Sequence, residues 1–315
     1  MMNSALSKPA ASTELRADDP ALSSDSALAD VQLLAVLRAA RSEGRLLCFL
    51  DYDGTLAEIV PDPAKALMSV AMRSALHALP SAGVRTAIVT GRSLDKIKIF
   101  TASLGSPAQF CFAASHGFDI EGAGTHLRPF AVFRPLLIRA AGAMEAALVP
   151  FPGAAVEDNF FSVTAHLRCV DEPQRAGAER AVRDAVRRLT EGEQVAEGEA
   201  TLELELRPGK LVLEARPLVE WDKGRACDAI LARPGDFFAA WGGGTTPALG
   251  PLVVLAIGDD LTDEDTFSAL LAAERDGRIA LAVPVIVGAP ERATFSRYRL
   301  GSVDEVRRFL ELLAV

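Results

Sequence analysis

The sequence predicts an α/β protein in which a parallel sheet is interrupted by a smaller inserted α+β segment. Three observations carry that expectation. Short, wholly apolar runs of strand length, such as residues 46–50 and 252–257, alternate with stretches of helical spacing, the pattern of buried parallel strands joined by crossovers. Two of these runs end abruptly in acidic residues, Asp51-Tyr52-Asp53-Gly54 and Gly258-Asp259-Asp260. Between them, over residues 131–217, the alternation gives way to two long amphipathic helices and several strands of alternating polarity.

Taken in order, residues 1–30 are rich in Ala, Ser, Asp and Pro and lack the charged-then-apolar order of a signal peptide. They are expected to be a disordered extension. A helix is expected over residues 31–41, on the spacing of Val31, Leu33, Leu34, Val36 and Leu37. The strand at 46–50 follows, then a helix over 71–79 and a strand over 83–90 that runs into Thr90-Gly91-Arg92. A helix over 93–100 and a strand over 109–114, before Ser115-His116-Gly117, complete a β-α-β-α-β run that calls for right-handed crossovers.

The insert reads as helices over 133–148 and 172–189 with strands over 161–168, 194–197, 201–206 and 211–215, an antiparallel sheet covered on one face. The alternation then returns, with a helix over 223–231, strands over 252–257 and 281–287, and helices over 263–274 and 303–313. Residues 31–130 and 218–315 therefore make up the core, and 131–217 the inserted domain. The Gly-rich stretch 239–251 reads as a flexible surface insertion, because it lacks both GxGxxG order and the Lys-Ser/Thr ending of a phosphate loop.

Composition narrows the function. Half of the 315 residues are hydrophobic, which supplies an ample core, and the net charge of -9 argues against a nucleic-acid surface. No apolar run reaches the length of a membrane span. The four cysteines, Cys48, Cys111, Cys169 and Cys227, lie far apart with no CxxC pair. Cys48 and Cys111 sit in apolar strands and read as buried thiols in a reducing cytoplasm.

The acidic strand ends carry the chemistry. Open α/β sheets place their reactive groups at the carboxyl ends of strands. A carboxylate there can attack phosphorus or hold a divalent cation, and two together can do both. Thr90, at another strand end, has a hydroxyl free to bind a phosphate oxygen, or it caps the helix that follows. Arg92 has two open roles, supporting that loop or reaching substrate. Lys223 starts a helix, where the dipole disfavours a cation and solvent exposure is the plain expectation. A calcium loop at 259–265 is excluded, since its sixth position is Glu264 instead of Gly.

The segment Asp51-Tyr52-Asp53-Gly54-Thr55-Leu56 resembles, residue for residue, the DxDGTL signature of haloacid dehalogenase-like hydrolases. That resemblance implies a Rossmann-like hydrolase core with an inserted α+β cap domain. It implies Asp51 as nucleophile, Asp53 as general acid and base, Thr90 as a phosphate ligand and Lys223 as the cation that offsets phosphoryl charge. It also implies Mg²⁺ held by Asp51, Asp259 and the Asp53 backbone carbonyl, with Asp260 binding through water and Asp263 steadying the loop or Lys223. The ion-pumping relatives carry Thr where this chain has Asp53 and they span membranes, so the pump reading fails.

A finer resemblance is to the trehalose-6-phosphate phosphatases. DYDGTLAEIVPDPAKA, TGRS, SHG, the run Glu157-Asp158-Asn159-Phe160-Phe161-Ser162 with His166-Leu167-Arg168, then GKLVLEARPLVEWDKG and GDDLTDEDTF occur in that group's order. It implies that Glu157, Arg168, Lys210 and Glu214 bind a small-molecule sugar phosphate between cap and core. Two positions depart from the group: Asn159 stands where Lys is usual, and Leu167 where Tyr is usual. Two alternatives stay open on sequence alone: a phosphatase for another sugar phosphate, and a catalytically silent binding or regulatory module of the same fold.

Overall fold

The computed structural model describes residues 25–104, 109–191, 202–209, 211–238, 250–289 and 292–315. The expectations for residues 1–24, for a strand at 194–197, for Lys210 and for the Gly-rich stretch at 239–249 lie outside the described residues.

β1 (Asp25–Ser26) pairs in parallel with Tyr298 and Arg299, so the end of the expected disordered extension is tied to a sheet edge. α1 (Val31–Ser42) is capped by Asp30, whose carboxylate accepts the Leu33 amide at 2.9 Å. β2 (Leu46–Leu50) is buried at every position, as an uninterrupted apolar run requires in a sheet covered on both faces. α2 (Val70–Ser81), β3 (Arg85–Val89), α3 (Leu94–Thr101) and β4 (Cys111–Ala114) continue the alternation. β5 (Asp119–Gly122) and β6 (Thr125–Leu127) then form an antiparallel hairpin at one edge of the sheet. Their few, largely polar residues gave no strand signal in the sequence.

α4 (Arg134–Leu148), β7 (Ala155–Asp158), β8 (Val163–His166), α5 (Glu172–Glu191), β9 (Leu204–Gly209) and β10 (Val212–Pro217) build a separate four-stranded antiparallel sheet in the order β7-β8-β10-β9 with two helices. Leu137 and Met144 of α4, Val182 of α5, Val163 and Ala165 of β8 and Leu213 of β10 share one buried cluster, so both helices cover the same face. β7 has no counterpart in the sequence reading: only four residues long, it ends in two carboxylates.

α6 (Lys223–Ala232), α7 (Pro234–Phe238), β11 (Val253–Gly258), α8 (Leu261–Arg275), β12 (Leu281–Val287), β13 (Tyr298–Leu300) and α9 (Val303–Ala314) return to the first sheet. Its order is β1-β13-β12-β11-β2-β3-β4-β5-β6. Every pairing from β1 to β4 is parallel. One hydrophobic cluster, with Leu37, Leu76, Ile97 and Phe309, packs on one face, and a second, with Ile230, Phe237, Phe267 and Leu270, packs on the other.

β2 lies between β3 and β11. The chain grows outward from β2 on one side through β3 and β4, then returns to β11 on the other. Such a reversal opens a crevice at the carboxyl ends of the strands. Where the chain leaves and re-enters the large sheet, Phe118, Phe130, Phe161 and Trp221 pack together in tilted and edge-to-face contacts, with Phe130 and Trp221 ring centres 5.2 Å apart. Among the described residues, no helix is long and apolar enough to cross a membrane.

Candidate active site

Asp51 follows β2, and its amide donates to the Ile257 carbonyl of β11 at 3.0 Å, which fixes it at the crevice. Lys223 is the first residue of α6, after the N-cap Asp222. It is 2 % exposed, not solvated. Its Nζ donates to Asp51 Oδ1 at 2.7 Å and to Asp263 Oδ1 at 2.8 Å, and these charged partners outweigh the unfavourable helix dipole. Asp263 in turn accepts the amides of Asp259 and Asp260 on Oδ2 at 2.9 and 3.1 Å. Gly258 makes room for this, since a Cβ there would stand 2.1 Å from the Asp263 Cγ.

Asp51, Asp259 and Asp263 bring one oxygen each within 4.8 Å of one another, and the Lys223 ammonium binds two of the three. Burial raises the Asp51 carboxyl well above its ordinary value; Lys223 opposes this and Asp263 adds to it. Burial pushes Asp259 up to about 7, with the charges of Asp263 and Asp260 adding to it. Burial works against the Lys223 ammonium, but Asp51 and Asp263 more than offset it and hold the group charged. The cluster is short of positive charge, and its hard carboxylate oxygens suit a divalent cation such as Mg²⁺. Gly54 fits that reading. At φ +80° its missing Cβ would lie 2.1 Å from Asp259 Oδ2, so a bare backbone lets Asp259 settle over the Asp51–Gly54 turn.

Asp53 points elsewhere. Arg92 grips it with Nε to Oδ2 at 2.8 Å and Nη2 to Oδ1 at 2.6 Å, and also donates to the Pro63 carbonyl. The guanidinium lies over the Phe100 ring, 4.5 Å from its centre. Arg92 thus clamps Asp53, and it also lines the cavity above the site. Thr90 is buried and its hydroxyl oxygen accepts the Arg92 amide at 3.1 Å, which leaves its O–H to donate into the cavity. Asp260 caps α8, its Oδ1 accepting from the Thr262 amide, the Thr262 hydroxyl and the Asp263 amide, and it also lines the cavity.

Above this floor lies a cavity of about 530 Å³ lined by Asp51, Thr90, Lys223, Lys96, Asn159 and Glu214, among others. A wider groove of about 1540 Å³ opens beside it and shares His116, Glu214 and Lys223. Of the four sugar-binding residues expected from sequence, Glu214 lines the cavity. Glu157 does not; it sits behind it, accepting from Lys96 at 2.5 Å and meeting His166 Nε2 at 3.0 Å. Arg168 is exposed at the end of the β8 connection and does not line the cavity, and Lys210 lies outside the described residues. Leu167 is buried in the core of the smaller sheet and does not line the cavity.

Lys96 and His116 are among the lining residues to which sequence reasoning gave no role. His116 has φ +54°, which is strained for a residue with a Cβ. Its imidazole is pushed down to about 4, by burial first and then by Lys223 and Arg216, and is neutral at pH 7. The only signal for it was its place in Ser115-His116-Gly117 after a strand. Lys96 had none, because its role depends on a sheet that comes some sixty residues later in the chain.

Comparison with known proteins bears on this geometry. A family model described as trehalose-phosphatase matches residues 49–303. A probable trehalose-phosphate phosphatase 4 from Oryza sativa subsp. japonica is 34 % identical over 278 residues, 86 % of this chain and 67 % of that protein. A probable trehalose-phosphate phosphatase E from Arabidopsis thaliana is 34 % identical over 290 residues, 87 % of this chain and 71 % of that one. The C-terminal domain of the trehalose-6-phosphate phosphatase of C. albicans shares the fold, with a TM-score of 0.63 at 23 % identity over 89 % of this chain and 96 % of that domain.

Proposed function

The chain belongs to the trehalose-phosphatase family and is a phosphatase, and from that premise we propose that it hydrolyses trehalose 6-phosphate to trehalose and inorganic phosphate with Mg²⁺. The observation that carries this reading is the buried Lys223, which binds Asp51 and Asp263 together at the floor of a cavity walled by Thr90 and Glu214. In this reading residues 131–217 are a cap over a core of 31–130 and 218–315, and the substrate lies between them. The expected location is the cytoplasm, with no nucleic-acid or membrane partner.

A carboxylate oxygen of Asp51 forms a bond to phosphorus while the bond from phosphorus to the sugar oxygen breaks. Asp53 gives its proton to the departing oxygen, then takes one from the water that attacks phosphorus. That attack breaks the Asp51–phosphorus bond and frees phosphate. Lys223 and the Thr90 hydroxyl hold the phosphoryl oxygens, and Lys223 also fixes the attacking carboxylate through its hydrogen bond. Asp51, Asp259 and the Asp53 carbonyl would hold Mg²⁺, which supplies positive charge against the phosphoryl group when bound. Closure over the substrate would exclude bulk water.

The test is phosphate release from trehalose 6-phosphate beside sucrose and glucosylglycerol phosphates, with Mg²⁺ or with chelator. Wild type should prefer trehalose 6-phosphate and need the metal, and Asp51→Asn should be inactive on every substrate. A preference for another sugar phosphate would keep the chemistry and replace the substrate. Activity in Asp51→Asn equal to wild type would overturn the mechanism.

A further inference from the structure

Lys96 projects from α3, an element of the large sheet's helical cover, and meets β7 of the smaller sheet across the cavity. Its Nζ donates to Glu157 Oε1 at 2.5 Å and to Asn159 Oδ1 at 3.3 Å. An ammonium has three donors, so one remains. Glu157 is saturated differently: its second oxygen faces His166 Nε2 at 3.0 Å. Both its oxygens are therefore engaged, and Lys96, not Glu157, is among the groups that line the cavity.

The other cations lining this cavity each pair with a carboxylate of the core or of the smaller sheet, and Lys223 sits at the phosphoryl end. Lys223 is bound to Asp51 and Asp263, Arg92 to Asp53 and Pro63, and Arg216 to Glu205 through Nε at 2.7 Å. The Lys96–Glu157 pair is different because it is half in water, with the two side chains 47 % and 38 % exposed. Pairs so exposed contribute little stability, and the Lys96 ammonium stays open to the cavity while it is held. A polyhydroxyl ligand entering the cavity meets a held ammonium with a donor to spare.

We propose that Lys96 is a specificity-determining residue, which binds the hydroxyls of the substrate's sugar from the core side while Glu157 and Asn159 hold its ammonium in place. This deepens the proposed activity on a disaccharide phosphate and rests on it. The role is binding, not chemistry, since phosphoryl transfer is carried by the floor of the cavity. Asn159 stands beside the same point, so a lysine at 159 would deliver an ammonium to nearly the same place when position 96 is shortened.

The experiment compares kcat/KM for trehalose 6-phosphate with kcat/KM for p-nitrophenyl phosphate, which has no sugar, in wild type, Lys96→Ala, Lys96→Arg and Lys96→Ala/Asn159→Lys. Lys96→Ala should lower the ratio of the two about tenfold, mainly through KM for the sugar phosphate, as the loss of one charged hydrogen bond predicts. Lys96→Arg should retain most of the ratio, and Asn159→Lys should restore part of it in the alanine background. An unchanged ratio in Lys96→Ala, or an equal fall on both substrates, would overturn the inference while leaving the proposed function standing. A wild type that shows no preference for the sugar phosphate over p-nitrophenyl phosphate would overturn both.

Discussion

Lys223 and Asp263 meet at 2.8 Å in a buried pair that fastens the loop after β11 to the start of α6. The same ammonium reaches Asp51, so the position of the proposed nucleophile depends through Lys223 on Asp263, which does not line the cavity. Asp263 has no spare capacity: one oxygen takes Lys223 and the other takes two backbone amides.

Asp263→Asn tests that dependence. The amide keeps the size of the side chain but presents a donor to either Lys223 or the two amides. An unmatched buried partner costs about 1–3 kcal/mol, so the melting temperature should fall accordingly. Misplacing Asp51 and Asp259 should lower kcat by about 10²-fold, the scale of losing preorganised charge. Full activity with a lowered melting temperature would mean that Asp263 only stabilises the loop.

The pH dependence of stability follows from Asp259. Its folded value of about 7 lies above the ordinary aspartate value of about 3.9. Between those values the folded protein keeps a proton that the unfolded chain has released. The contribution is therefore fully present below the lower value and is lost as pH rises through the higher one. Asp265, raised to about 6 chiefly by burial, acts in the same direction. In chelator, the melting temperature should fall between pH 5 and pH 8, excess Mg²⁺ at pH 8 should restore much of it, and Asp259→Asn should flatten the slope. A melting temperature that rises over this range would contradict the assignment.

The sequence made the floor of the site legible because strands and chemistry coincide there. Uninterrupted apolar runs too short for a helix, such as Leu46–Leu50 and Val253–Gly258, read as buried strands, and the aspartates follow them directly. The walls were harder. β5, β6 and β7 are three or four residues long and rich in polar side chains, so no periodicity could build up. Lys96 and Glu157 are sixty-one residues apart, and their meeting depends on how the smaller sheet packs over α3. Local pattern cannot report such a contact. Arg168 is likewise exposed just after β8 and does not line the cavity.

Gly54 offers a test of the metal site that leaves every carboxylate in place. Gly54→Ala puts a Cβ 2.1 Å from Asp259 Oδ2 in a backbone at φ +80°. The left-handed conformation alone costs about 1–2 kcal/mol for a residue with a Cβ. Asp259 must also swing away from Asp51. Half-saturation by Mg²⁺, read from phosphate release, should rise by at least about tenfold, equivalent to ~1.4 kcal/mol. An unaltered Mg²⁺ requirement would place the metal away from Asp259.

Arg92 separates leaving-group protonation from attack on phosphorus. It holds Asp53 through two parallel hydrogen bonds, an arrangement that lysine cannot reproduce. Arg92→Lys keeps the charge and loses the fork, so Asp53 should lose its fixed orientation while Asp51, Thr90 and Lys223 keep theirs. A sugar alkoxide is a poor leaving group and needs the proton, whereas p-nitrophenolate leaves without it. The variant should therefore lose about tenfold in kcat on trehalose 6-phosphate, a part of the 10²–10⁴ that general acid catalysis supplies, with KM little altered and p-nitrophenyl phosphate turnover much less affected. Equal losses on the two substrates would assign Arg92 to the phosphoryl group, and the clamp on Asp53 would then be incidental to catalysis.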